Sequence, residues 1–416
     1  MHHSRKKPHQ HLGSNSKCHA FSTASSSGSL RSFFRALGFI GSISCASVGI
    51  AQDAPLITIT KSDKIAIGLN GIGGPDGATL LQLVQKDLQL SGAFSIGAPR
   101  TGNFQVGGNV SGSSLNGSLT DRSGKSVLSR SYSGSIRAQA HAFANDIVEA
   151  ITGGKGIAGT RLAFVANKSG TKEIYMVDVD GANLTQLTKD RAISVSPALS
   201  PDGSKLAYTG YQSGYADVYE VDLASGSRRC IMKFPGTNSG AAYSKSGNRI
   251  AVTLSKDGNP ELYVTDSGGG SPRRLTFTPG VESSPTWSPD GSEVIFSSDS
   301  GGSPALYRVS ASGGSPSLIR TGQGYNTEPN WSPDGKKVAF SIRAGGGFSV
   351  AVLDLASGQV RQLGEGQDPV WGADSRHIAC AQAGSLVLVD IQTMQRTTIA
   401  SGLGRISEPT WSHGQR

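Results

Sequence analysis

The sequence is poor in the residues from which reactive sites are usually built. Past residue 52 the 416-residue chain keeps two cysteines, Cys230 and Cys380, and three histidines, His141, His377 and His413. The repeats described below place the two cysteines on different strands of different units, which argues against a disulfide; both read as small buried apolar residues. No His-Glu-x-x-His pair is present to grip zinc, and the three histidines read as structural or solvated. No serine has glycine both two residues before and two residues after it, so there is no nucleophile elbow. Gly71-Ile72-Gly73-Gly74-Pro75 lacks the Lys-Ser/Thr of a phosphate loop and reads as a plain turn between a strand and a helix. Acidic residues are missing from residues 1–51, which hold Arg5, Lys6, Lys7, Lys17, Arg31 and Arg35; the rest has 33 basic against 30 acidic residues, so the formal charge of +9 falls there to +3. Charges of mixed sign exclude a nucleic-acid-binding face.

Glycine, at 56 residues, and a repeat are what the sequence has in plenty. Pro285-Thr286-Trp287-Ser288-Pro289-Asp290-Gly291 recurs in variants that begin at Pro197, Ala241, Pro329, Pro369 and Pro409, spaced 44, 44, 44, 40 and 40 residues apart. Each copy reads as a short strand beginning at the proline and running into a Ser-Pro-Asp-Gly type I turn. A second strand follows, such as Glu293-Val294-Ile295-Phe296, then a third, such as Glu261 to Asp266, and a fourth, such as Arg274-Leu275-Thr276. Four strands at a period in the forties predict the blades of a β-propeller. Residues 160–188 supply second, third and fourth strands without a first, and Glu408 to Ser412 supplies a first strand alone. Joining them gives six blades and a ring closed by N- and C-terminal strands, which leaves no long sheet edge exposed.

The expected organisation is a disordered leader plus secretory signal peptide over 1–51, a small α/β domain over 52–153, a linker over 154–159 and the propeller over 160–416. The signal reading rests on Arg31 and Arg35 followed by an apolar run from Ala36 to Ile43 that is too short to span a bilayer, with cleavage expected after Ala51. Within the α/β domain, Leu80, Val84 and Leu88 share one helix face, residues 103–134 read as hairpins, and a last helix carries Ile136, Ala140, Phe143, Ile147 and Ile151 up to Gly153. The helices are expected to cover one sheet.

In a propeller the first strand lines the channel, so the residues before its proline sit at equivalent points around one mouth. They are Ser196, Gly240, Ser284, Glu328, Asp368 and Glu408. The bland explanation is polarity at the start of a strand. The functional one is a mouth with an electronegative sector from three neighbouring blades, suited to a peptide with Lys, Arg or backbone amides, or to a cation. Trp287, Trp331, Trp371 and Trp411, with Leu199 and Tyr243 at matching points, read as packing between blades. Third strands ending in Asp178, Asp222, Asp266, Asp354 and Asp390 read as turn capping.

The signal, the α/β domain, the Ser-Pro-Asp-Gly repeats, and above all the junction from His141 through Ile151-Thr152-Gly153-Gly154-Lys155-Gly156 to Thr160-Arg161-Leu162-Ala163-Phe164-Val165 resemble the TolB family of the Tol-Pal system. The resemblance covers about residues 52–416. It implies a non-enzymatic periplasmic monomer with no cofactor and no metal, an adaptor that supports envelope integrity and outer-membrane constriction at division. The mouth would bind a Pal-like peptidoglycan-associated lipoprotein through Thr237, Gly240, Ser283 and Ser284 together with Ser196, Glu328, Asp368 and Glu408. The segment Gln52, Asp53, Ala54, Pro55, Leu56, Ile57, Thr58, Ile59 and Thr60 would engage a TolA-like inner-membrane protein, so that the membrane is reached only through partners. The sequence departs from the family in a shorter α/β domain and in Ser284, where the family pattern has Glu. The alternatives are a metal-dependent propeller hydrolase using Glu328, Asp368 and Glu408, and a Pal-independent binder of envelope peptides or glycans.

Overall fold

The structure is a computed structural model that describes residues 64–414. The expected leader, the cleavage point at Ala51 and the segment from Gln52 to Thr60 lie outside the described residues. The described part opens with β1 (Ile65–Gly73), α1 (Gly77–Leu90) and β2 (Phe94–Gly97). Next come β3 (Phe104–Ser111), β4 (Ser114–Asp121), β5 (Ser126–Ser133) and α2 (Ile136–Thr152). The strands form one sheet in the order β2-β1-β3-β4-β5. Both helices lie against it with their expected apolar faces buried, Leu80, Val84 and Leu88 from α1 and Ala140, Phe143 and Ile147 from α2. Gly117 in β4 is required by that packing, because a Cβ there would meet the Phe143 ring at 2.8 Å. Helix α2 is capped as its sequence suggests: the Ser135 side chain accepts from the Ala138 amide, and Gly153 ends the helix at φ 70°.

Six four-stranded sheets follow, arranged as blades. Their inner strands are Ser194–Leu199, Asn238–Tyr243, Glu282–Trp287, Asn326–Trp331, Gln367–Trp371 and Ile406–Trp411, numbered here as blades 1 to 6. Blade 6 takes its other three strands from residues 161–186, so the two ends of the repeat close the ring: Ile406 pairs with Ala166 and Trp411 with Leu162. The Ser412 hydroxyl accepts from the Arg161 amide at 3.0 Å and fastens the seam. The turns between blade strands behave as their residues dictate. In the first repeat Gly203 donates to the Ser200 carbonyl, and Asp202 accepts from the Ser204 amide. Third-strand aspartates cap the next turn, as where Asp222 accepts from the Ser225 amide at 2.8 Å.

Two expectations need correction. The inner strands begin up to three residues before the proline, because the residue preceding each proline is a bulge that interrupts the ladder without ending it. Cys380 is buried as expected, but Cys230 is exposed. It lies on the outermost strand of blade 1, Arg228–Met232, which has a partner on only one side and so shows residues to solvent.

The α/β layer and the propeller pack into one unit. Arg137 of α2 donates to Asp178 at 3.0 Å and to Asp180 at 2.9 Å in the turn after the third strand of blade 6. Asn145 of α2 donates to the Ala158 carbonyl and accepts the Ala158 amide. A buried His141–Asp87 contact of 2.7 Å ties α2 to α1. Because each inner strand runs from the mouth to the Ser-Pro-Asp-Gly turn, strand alternation puts the 178–182 turn at the end opposite the mouth. The α/β layer therefore leaves the mouth uncovered.

Candidate functional site

All six positions singled out at the mouth adopt the same unusual backbone. Ser196, Ser284, Glu328, Asp368 and Glu408 have φ between 50° and 53°, and Gly240 has φ 64°. Five non-glycine residues in the left-handed region cost strain, and such strain persists only where surrounding structure fixes it. Here five of the six bulges turn their amide toward a side chain of the neighbouring blade. Ser196 N–H donates to Glu408 Oε2 at 2.6 Å, Glu408 N–H to Asp368 Oδ2 at 2.8 Å, and Asp368 N–H to Ser341 Oγ at 3.0 Å with Glu328 Oε2 at 3.4 Å. Glu328 N–H donates to Ser297 Oγ, and Gly240 N–H to Thr209 Oγ1. In blades 4 to 6 the three carboxylates therefore form a relay, each accepting the bulge amide of the next blade around the ring.

These residues wall a cavity of about 510 Å³. Its lining includes Ser196, Gly240, Ser283, Ser284, Glu328, Asp368 and Glu408; Thr237 is exposed on the loop before the blade 2 inner strand and does not line it. The sector is less negative than the sequence suggests. Burial, reinforced by the charge of Asp368, pushes Glu328 up to about 8. Burial also raises Glu408. Lys172 and Arg405, which sequence reasoning passed over, line the same cavity from exposed positions. No motif marks them, since they sit in loops whose approach to the mouth depends on ring closure.

The mouth face also gathers exposed apolar side chains. Ile193, Tyr211, Tyr215, Phe277 and Val281 are five of the eight large hydrophobic residues exposed among the described residues, and all five lie in loops at the mouth end. Phe277 is 74% and Tyr215 71% exposed. A sequence signal for Phe277 existed: an aromatic inside the polar turn Thr276-Phe277-Thr278-Pro279-Gly280 has no core to face. Beside the mouth a second depression of about 530 Å³ is lined by Gly345, Gly347, Phe348, Ala381 and Ala383, and it shares Gln367 and Arg405 with the mouth.

At the other end of the channel the space narrows to about 160 Å³ between Leu199, Tyr243, Trp287, Trp331 and Trp411. Trp287 Nε1–H donates to the Ala242 carbonyl and Trp371 Nε1–H to the Asn330 carbonyl of the preceding blades. Trp331 and Trp411 instead donate within their own blades, to the Gly335 carbonyl and to Thr160 Oγ1. Among the described residues no group of three or more His, Cys, Asp or Glu is placed to hold a metal ion.

A closed six-bladed ring with this mouth can be set beside known proteins. The profile described as the TolB beta propeller domain matches residues 148–415. The chain belongs to the TolB β-propeller family. It is 37% identical over 191 residues to the Protein TolB homolog of Chlorobium chlorochromatii, covering 37% of this chain and 43% of that one. With the Tol-Pal system protein TolB of Geobacter sulfurreducens it shares 30% identity over 164 residues, or 32% of this chain and 38% of that one. The chain thus aligns with less than half the length of these TolB relatives. In structure it is similar to TolB from Acinetobacter baumannii, with a TM-score of 0.76 and 25% identity, covering 85% of this chain and 98% of that one.

Proposed function

We propose that this chain is a non-catalytic periplasmic adaptor of the Tol-Pal system, with 52–153 and 160–416 as its two working parts. A Pal-like lipoprotein docks on the mouth face, and a TolA-like inner-membrane protein is engaged by Gln52 to Thr60. The observation that carries the reading is an uncovered mouth in which a strained ring of bulges and a polar cavity lie beside exposed Tyr211, Tyr215 and Phe277. Rigid aromatics around a polar centre suit a folded protein partner better than a small metabolite. Relatives described as Tol-Pal system protein TolB support the same assignment.

The rival hydrolase needs Glu328, Asp368 and Glu408 to converge on one ligand position. Each of them instead accepts a backbone amide of the next blade. An affinity pull-down from envelope extract, with residues 52–416 as bait, is expected to recover a Pal-like lipoprotein. Calorimetry on the recovered partner is expected to show that Glu328→Lys combined with Asp368→Lys abolishes binding while circular dichroism stays native. Recovery of only glycan, or full affinity in the double variant, overturns the assignment.

A further inference from the structure

Glu261, which opens the third strand of blade 2, and Glu282, which opens the inner strand of blade 3, are both completely buried. Between them they grip the loop that displays Phe277. Glu282 Oε1 accepts from Thr278 Oγ1 at 2.6 Å and Ser298 Oγ at 2.8 Å. Glu261 Oε1 accepts from the Thr278 amide at 2.8 Å and from Arg274 Nη2 at 2.7 Å. Glu282 Oε2 is buried and meets no donor from the rest of the protein, and the Thr276 hydroxyl also lies within hydrogen-bond reach of the buried Glu261 carboxyl. The two carboxyls lie within hydrogen-bond reach of each other. Two buried acceptors that face each other repel unless one of them carries hydrogen.

Two of the sister blades show how a residue at this position can hold the loop before it. At the start of the inner strand blade 2 has Asn238, which accepts the Phe234 amide and donates to the Phe234 and Ala216 carbonyls. Blade 4 has Asn326, which accepts from Thr321 Oγ1 and donates to the Gln323 carbonyl. Each amide holds its preceding loop by giving and receiving at once. Glutamate can do this only when protonated.

We infer that Glu261 and Glu282 share one proton, and that this proton holds the loop presenting Phe277 and Val281 as a docking element of the mouth face. The occupant is the same Pal-like lipoprotein, so the docking half rests on the function proposed above. Continuity carries that half, since Ser283 and Ser284, which follow Glu282 directly, already wall the mouth cavity. The charged groups around the pair are few. Arg274 bonds Glu261 and lies 4.5 Å from the Phe277 ring centroid; Asp257 accepts from the Tyr263 hydroxyl and pairs with Lys256; Asp299 accepts the Val281 amide. None offers Glu282 a cation of its own. Burial, followed by the neighbouring Glu261, raises Glu282 from its ordinary 4.5 to about 7. A carboxyl raised in the folded state contributes its full stability at low pH and loses it as pH rises from 4.5 through about 7.

Hydrogen exchange on the full chain at pH 6 and 8.5, corrected for the intrinsic rate, reads the proton directly. Wild-type protection over residues 276–282 is expected to be lower at pH 8.5 than at pH 6, falling by at most about tenfold per pH unit as pH rises to about 7 and levelling off above it. Glu282→Gln, and Glu282→Asn as the residue of blades 2 and 4, are expected to hold their protection unchanged. Equal pH dependence in wild type and both variants overturns the shared proton. The soluble domain of the Pal-like lipoprotein is expected to bind wild type more weakly at pH 8.5 than at pH 6, and Glu282→Gln equally at both. Phe277→Ala is expected to weaken binding at both pH values. Wild-type binding insensitive to pH, with the exchange contrast intact, overturns the docking role alone. Absence of binding at either pH overturns the adaptor reading and leaves the exchange result to decide the proton.

Discussion

The two ends of the propeller channel are built from the same six inner strands and do opposite things. At the turn end, Leu199, Tyr243, Trp287, Trp331 and Trp411 stand where the strands finish and close the space to about 160 Å³, and Trp371, at the matching point of blade 5, is fully buried. At the mouth, three residues earlier in each strand, small or acidic residues in left-handed backbone leave about 510 Å³ open. A strand of six residues is long enough to pack at one end and stay open at the other. The bulge before each proline separates the two tasks, because it breaks the ladder between them.

That division can be broken at either end. The largest effect on folding is expected at the turn end: Trp371→Ala, at a fully buried ring, should lower unfolding free energy by about 3–5 kcal/mol in a denaturant titration. A loss below 1 kcal/mol would show that blade packing does not depend on the rings. At the mouth, Lys172→Glu with Arg405→Glu should leave the denaturation midpoint unchanged and shift partner affinity by about 1–2 kcal/mol in calorimetry. A large stability change would mean that these exposed cations serve the fold.

The bulge itself is tested by Gly240→Ala. A Cβ there has no atom closer than 3.9 Å, so its expected cost of about 1–2 kcal/mol arises from φ alone. No measurable loss would remove strain from the description of the mouth. The smallest effect concerns protons. Because Glu328 is raised from 4.5 to about 8, the melting temperature should fall as pH rises through that interval. Glu328→Gln should flatten that part of the profile, and an unaltered slope would assign it elsewhere.

Blade number, ring closure and the helix faces of the α/β layer were all legible in the sequence, because each follows from a period: 44 or 40 residues for blades, and helical spacing for Leu80, Val84 and Leu88. The mouth was legible by position and misjudged in detail. Counting back along the repeat found six residues that line one cavity, yet no rule for strands marks the residue at that point as left-handed. Gly240, in register with five non-glycine residues, was the one available hint. Sequence counts carboxylates at full ionisation, whereas burial raises Glu328 and Glu408.

The sequence by itself settled that six sheets would close into a ring, since repeat spacing and the split of one blade between the two ends are properties of order along the chain. Only the tertiary structure decided what surrounds each carboxyl. Glu282 stands opposite Glu261, Glu328 beside Asp368, and Arg405 at the rim, through contacts between blades that the chain links only at distances of tens of residues. Protonation, backbone strain and exposure depend on what lies within a few ångströms in space, and a linear pattern does not contain that information.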